Sequence, residues 1–189
     1  MGQFVIIAGP TASGKTVLIA ELLKRLPNAA RLVTTTTRPP RQGERDGVDY
    51  FFVSHHAFNE GIRNGDFFEH AEVHGNLYGP SRSAVTAILE KADMVLATLD
   101  VQGARTVKKM DPNVRTLFLR PGSLAELERR LRIERVGISD KEIATRLETA
   151  RRELAVADTF DLIIENVDGQ FESTIAQALA FIQETTARA

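Results

Sequence analysis

Eight residues near the start of the chain, Gly9-Pro10-Thr11-Ala12-Ser13-Gly14-Lys15-Thr16, have the types and spacing G-x-x-x-x-G-K-[ST]. Each type in that pattern has a task on a polyphosphate. The glycines let the backbone curl until its N–H groups face phosphate oxygens. A helix starting there adds partial positive charge where the anions sit. Lys15 has the reach for the β- and γ-phosphates, and the Thr16 hydroxyl can serve Mg²⁺ carried by the nucleotide. Gly9 to Thr16 is therefore the expected grip on a nucleoside triphosphate, with Thr16 as the expected metal contact.

A second constellation follows. Arg38 and Arg41 stand three apart, and Pro39 and Pro40 stiffen the loop between them. Two guanidinium forks held this way can share one phosphate group. Tyr50 and Tyr78 can donate hydroxyl hydrogen bonds to the same oxygens. Glu69, when ionised, only accepts. Guanine presents N1–H and N2–H₂ side by side, a donor pair suited to a carboxylate, and adenine has no such pair. A buried carboxylate would thus select guanine and be left unpaired against adenine.

A third group is cationic. Arg129, Arg130, Arg132 and Arg135 lie in and just after one expected helix, and Arg146 lies on the next, with Gly137 between. Phosphoryl transfer concentrates negative charge between two anions, and arginines brought in by a closing segment can neutralise it. For Arg129 and Arg130 the simpler expectation is pairing with Glu126, Glu128 and Glu134 at helical spacing. A phosphate acceptor is already deprotonated at neutral pH, so no catalytic base is required. His55, His56, His70 and His74 do not have metal-ligand spacing.

Composition narrows the class. The chain has 189 residues, 43% hydrophobic and 26% charged, with a formal net charge of -1. That suits one globular domain with its own core and gives no general attraction to nucleic acid. With no cysteine, disulfides and thiol chemistry are excluded. No apolar run approaches the roughly 20 residues of a membrane span. The first strand starts too early to leave room for a signal peptide, so a cytoplasmic protein is the expectation.

The elements that must position these residues alternate in type. Residues 4–8 are a continuous apolar run, as in a buried parallel strand. Residues 15–26 have helical spacing and end before Pro27. Strands are expected at 31–34, 50–53, 67–73, 94–99, 114–119 and 162–164. Helices are expected at 55–63 with Ser54 as cap, 82–91, 102–109 and about 170–186. Ser123 with Glu126, and Ser139 with Glu142, have the spacing of two capping boxes. Alternation of this kind predicts an α/β fold with a parallel sheet.

The run Thr34-Thr35-Thr36-Thr37-Arg38-Pro39-Pro40-Arg41, then Gly43-Glu44, Gly47 and Asp49-Tyr50-Phe51-Phe52, resembles the acceptor-binding region of guanylate kinases. So do Gly65, Phe67, Glu69, Ala71-Glu72, His74-Gly75-Asn76, Tyr78-Gly79 and Leu99-Asp100-Val101-Gln102-Gly103-Ala104. Arg146, Glu153 and Asn166 match more loosely. The resemblance spans nearly the whole chain. It implies a three-layer α/β/α P-loop NTPase fold with a parallel core sheet, formed by residues 1–33, 82–124 and 151–189. It further implies an inserted mixed-sheet GMP-binding part at 34–81 and a helical lid at 125–150.

By the same resemblance, Arg38, Arg41, Tyr50 and Tyr78 would hold the GMP phosphate. Thr34, Glu69 and Asp100 would read the base. Gly9 to Thr16 and Asn166 would bind ATP, and Lys15, Arg135 and Arg146 would face the transferring phosphates. The substrates would be ATP and GMP, with Mg²⁺ and no nucleic acid or membrane partner, and the oligomeric state stays open.

The chain also departs from the family's usual pattern. Thr11 and Ala12 replace Ser and Gly in the loop, and the octapeptide is even closer to that of tRNA dimethylallyltransferases. Thr98 stands where an acid is usual, Pro80 where a hydroxyl residue is, and His70 where an aromatic is. The lid turn is about one residue longer. Two other readings therefore stay open: a related kinase acting on another phosphorylated acceptor such as ribose 1,5-bisphosphate, and a non-catalytic guanylate-kinase-like module that binds protein partners.

Overall fold

The computed structural model describes residues 3–134 and 137–184. A five-stranded parallel sheet is built from β1 (Gln3–Ala8), β2 (Ala29–Arg31), β7 (Met94–Thr98), β8 (Arg115–Pro121) and β9 (Leu162–Asn166), in the order β2-β7-β1-β8-β9. Strand side chains alternate between faces. Phe4, Ile6 and Ala8 of β1 join one cluster with Val85, Val101, Ala104 and Val107 from α3 (Arg82–Leu89) and α4 (Val101–Met110). Val5 and Ile7 join the other, with Leu18, Ile19 and Leu22 of α1 (Lys15–Arg25) and Ile175, Ala178 and Ile182 of α7 (Phe171–Gln183). Both faces are covered, which is why the β1 sequence is apolar without alternation. Each fully buried large side chain there contributes about 1.5–3 kcal/mol. The expected three-layer architecture is the one observed.

Register brings the functional loops together. In the parallel pairing, Ile7 of β1 stands beside Thr98 of β7, and Ala8 beside Phe118 of β8. The segments that leave β1 and β7, starting at Gly9 and Leu99, therefore emerge side by side at the carboxyl edge of the sheet. Ligands of open parallel sheets bind at that edge.

A second, mixed sheet has the order β4-β3-β6-β5, from β3 (Thr35–Thr36), β4 (Phe51–Phe52), β5 (Ala71–Val73) and β6 (Asn76–Gly79). His74 and Gly75, with φ of 51° and 76°, make the two-residue turn between β5 and β6. Ser54 caps α2 (His55–Asn64) as expected, its side chain accepting from the Ala57 N–H. Phe58 of that helix stacks on Phe67, with ring centroids 4.0 Å apart.

Several boundaries differ from the sequence reading. The strand expected at 31–34 lies at Ala29–Arg31. After it the chain crosses between sheets: Leu32 N–H still bonds to Leu96 O at 2.8 Å, but Thr34 O already accepts from Phe51 N–H at 2.9 Å. The strand expected over 67–73 shrinks to Ala71–Val73, because Phe68 N–H turns to Pro80 O, and β6 is added. Two helices, α5 (Leu124–Glu134) and α6 (Asp140–Leu154), pack through Leu127, Leu131 and Ala150. The capping box at Ser139 and Glu142 is complete. At Ser123 only half of it forms: Ser123 accepts from Glu126 N–H, while the Glu126 carboxylate goes to Arg130 and to Asp168 N–H. No helix among the described residues is long and apolar enough to cross a membrane.

Candidate active site

The P-loop backbone is shaped by a few positions that demand unusual angles. Gly9 has φ 137°, and a Cβ there would stand 2.2 Å from Leu119 O. Gly14, at φ 98°, caps α1. Ala12 holds φ 64°, a left-handed conformation that costs a non-glycine residue about 1–2 kcal/mol. Its side chain packs against the Leu127–Leu131–Ala150 cluster of α5 and α6, which offsets part of that cost. The first turn of α1 contains no acidic residue to compete with an anion.

The loop opens into a cleft of about 400 Å³, within the usual range for a small-molecule site. Gly9, Thr11, Ala12, Gly14, Lys15 and Thr16 line one side of it, and Thr34, Arg38, Arg41, Tyr50, Glu69 and Tyr78 another. Thr98 and Asp100 lie between, and Arg146 reaches in from α6. Pro10 and Ser13 do not line it. Pro10 contributes its carbonyl, which with that of Gly9 accepts from Lys15 Nζ at 2.7 and 2.6 Å. Burial draws the Lys15 pKa down to about 8, against the raising effect of Glu153, Glu134 and Asp100.

Glu69 is buried and rests over the first turn of α4. A Cβ on Gly103 would stand 2.7 Å from its Oε2, so only glycine leaves the carboxylate its room. Burial, then the nearby Asp100 charge, push its pKa up to about 8. Asp100 has a structural duty as well: its Oδ1 accepts from Gln102 N–H and Gly103 N–H at 2.7 and 3.0 Å, capping α4.

Arg38 lies 5.4 Å from the Tyr50 ring centre and 5.8 Å from that of Phe52. Burial works against its charge, but Glu44 and the Tyr78 phenol outweigh it and hold its pKa above the ordinary value. Tyr50 and Tyr78 meet edge to face at 6.1 Å, and burial raises the Tyr50 pKa. Arg146 has a buried Nε without a hydrogen-bond partner, and burial lowers its pKa. A buried unpaired donor facing a cleft is primed for an anion.

Some expected residues lie elsewhere. Asn166, expected at the nucleotide, stands behind the loop: its Nδ2 donates to Ser13 O at 2.8 Å and its Oδ1 accepts from Thr174. Its amide is spent on supporting the P-loop. Arg135 lies outside the described residues. Arg132 pairs with Glu128 and Asp140 and is not part of the cleft wall. Arg130 bonds Glu126 as expected, and also Asp168 and Asn166 O, but Arg129 pairs with Asp168 instead of a glutamate on its own helix. Two departures in the sequence fall outside the cleft: His70 is exposed, and Pro80 is buried with its carbonyl bonded to Phe68. Thr98 falls inside it.

The sequence reading gave no place in the site to Glu44, Glu134 or Glu153, which all line the cleft. For Glu44 a signal existed, an acid three residues after Arg41 in a basic loop. The other two are acids on arginine-rich helices, a pattern that usually means a solvated face.

The chain is similar to known proteins over most of its length. The family model described as guanylate kinase matches residues 1–185. A guanylate kinase of Thermotoga maritima is 40% identical over 93% of this chain and 85% of its own length. One from Thermosynechococcus vestitus is 42% identical over 88% of this chain and 87% of its own. The crystal structure of guanylate kinase from Anaplasma phagocytophilum superposes with a TM-score of 0.79 at 29% identity, covering 97% of this chain and 86% of that one.

Proposed function

The chain belongs to the guanylate kinase family, and from that membership we infer an ATP-dependent nucleoside monophosphate kinase that moves the γ-phosphoryl group of ATP to GMP, giving ADP and GDP. The observation that carries the reading is the pairing of a complete P-loop with a buried Glu69 in one cleft. Gly9 to Thr16 would hold the donor phosphates, with Lys15 leaving the Gly9 and Pro10 carbonyls for the β- and γ-oxygens. Arg38, Arg41, Tyr50 and Tyr78 would hold the acceptor phosphate. Ionised Glu69, with Thr34 and Asp100 beside it, would take the guanine N1–H and N2–H₂. Arg146 and Arg135 would meet the charge that builds between the two anions, which is positioning and electrostatics with no proton to remove.

Residues 34–81 would thus act as the acceptor-binding part and 125–150 as the lid. Among the described residues no group of three or more His, Asp or Glu could hold a metal. An ion arriving with the nucleotide would take one protein oxygen, the Thr16 hydroxyl. Bound Mg²⁺ would supply charge neutralisation on the β- and γ-oxygens. A sugar bisphosphate acceptor has no base for Glu69 to read.

A coupled assay with purified protein, MgATP and each nucleoside monophosphate tests the reading. Turnover of GMP in strong preference to AMP and UMP is expected. Activity with none of them, or preference for AMP or UMP, would overturn it.

A further inference from the structure

Arg38 has most of its donors committed within its own loop. Nη1 donates to Glu44 Oε2 at 2.9 Å and to Pro39 O at 2.6 Å, and Nη2 donates to Glu44 Oε1 at 2.9 Å. A guanidinium has five N–H groups in a fixed plane. Glu44 and Pro39 leave the Nε–H and the second Nη2–H, which lie together on one long edge, and the Tyr78 phenol also approaches the guanidinium. Nε is buried and has no hydrogen-bond partner. Tyr50 and Phe52 flank the same group.

Glu44 is the other half of this arrangement. Its Oε2 also accepts from the Arg41 N–H at 2.7 Å, and its own N–H donates to Arg41 O at 3.0 Å. One carboxylate therefore ties the Arg38 side chain to the Arg41 backbone. A surface ion pair would hold its partners weakly. This pair is bidentate, and its side chains are only 12% and 17% exposed, so it does not belong to that class.

We infer that Glu44 is a positioning residue of the acceptor-phosphate site: it clamps the outer end of the Arg38 guanidinium, so that the Nε–Nη2 edge, beside the Tyr78 phenol, is presented to the acceptor phosphate and Arg41 is held in the same turn. This rests on reading Arg38 as a ligand of that phosphate. The end-on fork is occupied by Glu44, and the side-on fork remains for two phosphate oxygens.

Charge and orientation make opposite predictions here. Removing the Glu44 carboxylate takes a negative charge away from the phosphate seat, which by itself favours binding of an anion. Losing the clamp releases Arg38 into several rotamers, which disfavours it. Steady-state kinetics on the full chain decide between them, with Glu44→Gln, Arg38→Ala and the double variant. Glu44→Gln is expected to raise KM for GMP about tenfold or more, leaving kcat and KM for ATP within about threefold. In the Arg38→Ala background it should add clearly less, because it acts mainly through Arg38.

A GMP KM that falls or stays put in Glu44→Gln overturns the proposal. So does an equal effect with and without Arg38. If Arg38→Ala itself leaves KM for GMP unchanged, it is the reading of Arg38 that fails. Should Glu44→Gln not fold, Glu44→Asp carries the test: it keeps the charge but withdraws the clamp by one methylene. A rise in GMP KM supports the proposal, and no rise overturns it.

Discussion

Glu69 should make acceptor binding depend on pH in a window well above that of an ordinary carboxylate site. Its pKa stands at about 8, raised first by burial and then by Asp100. Only the ionised form can accept both guanine donors. At pH 7 about one molecule in ten carries Glu69 ionised before GMP arrives, so the apparent affinity is about tenfold below its limit. Affinity should rise with pH up to about 8 and then level off, and each GMP bound at pH 7 should release nearly one proton. The phosphate of the nucleotide titrates near 6, below this window.

Calorimetry between pH 7 and 9, in two buffers of different ionisation enthalpy, reads both quantities. Glu69→Gln should abolish the proton release and weaken GMP binding. Asp100→Asn should move the rise to lower pH. Stability carries the opposite sign: between about pH 4.5 and 8 the folded chain holds a proton that the unfolded chain has lost. Glu69 therefore makes stability fall as pH rises through that window, by an amount on the order of a few kcal/mol. Wild-type affinity that is flat from pH 7 to 9, with no proton released at pH 7, would refute the reasoning.

Three further outcomes are expected. Lys15→Ala should weaken triphosphate binding about ten- to a hundredfold by calorimetry. In the wild type, ATP affinity without acceptor should decline above about pH 8 as Lys15 loses its proton. Gly103→Ala should push on the Glu69 carboxylate and raise KM for GMP about tenfold or more with KM for ATP unchanged, while thermal stability holds because alanine is the better helix former by about 1 kcal/mol. Asn166→Ala should lower stability by about 1–3 kcal/mol in denaturant unfolding, since it leaves the buried Ser13 carbonyl without its donor. It should cost less nucleotide affinity than Lys15→Ala, because the Asn166 amide supports the loop from behind.

The sequence by itself determined what depends on neighbours along the chain. Gly9 to Thr16 has a fixed spacing because one strand, one turn and one helix build the whole phosphate grip. The strand–helix alternation was legible for the same reason, since hydrophobic period and caps such as Ser54 and Ser139 act locally. The residue types at Arg38, Arg41, Tyr50, Tyr78 and Glu69 announced a phosphate and a base to read.

Tertiary structure decided which of those groups have partners, because the partners come from elements far apart in the chain. Asn166 supports Ser13 across 153 positions, and Arg130 pairs with Asp168 across 38. Glu69 acquires its high pKa because α4 packs beneath it and Asp100 stands nearby. The short strands of the second sheet, two residues at β3 and β4, are too brief for periodicity to mark. Even Arg38 and Glu44, six apart, needed the fold, since a loop has no period to say that their side chains turn toward each other. Spacing names the chemistry that a residue type can do, and packing decides which of its donors, acceptors and charges remain free to do it.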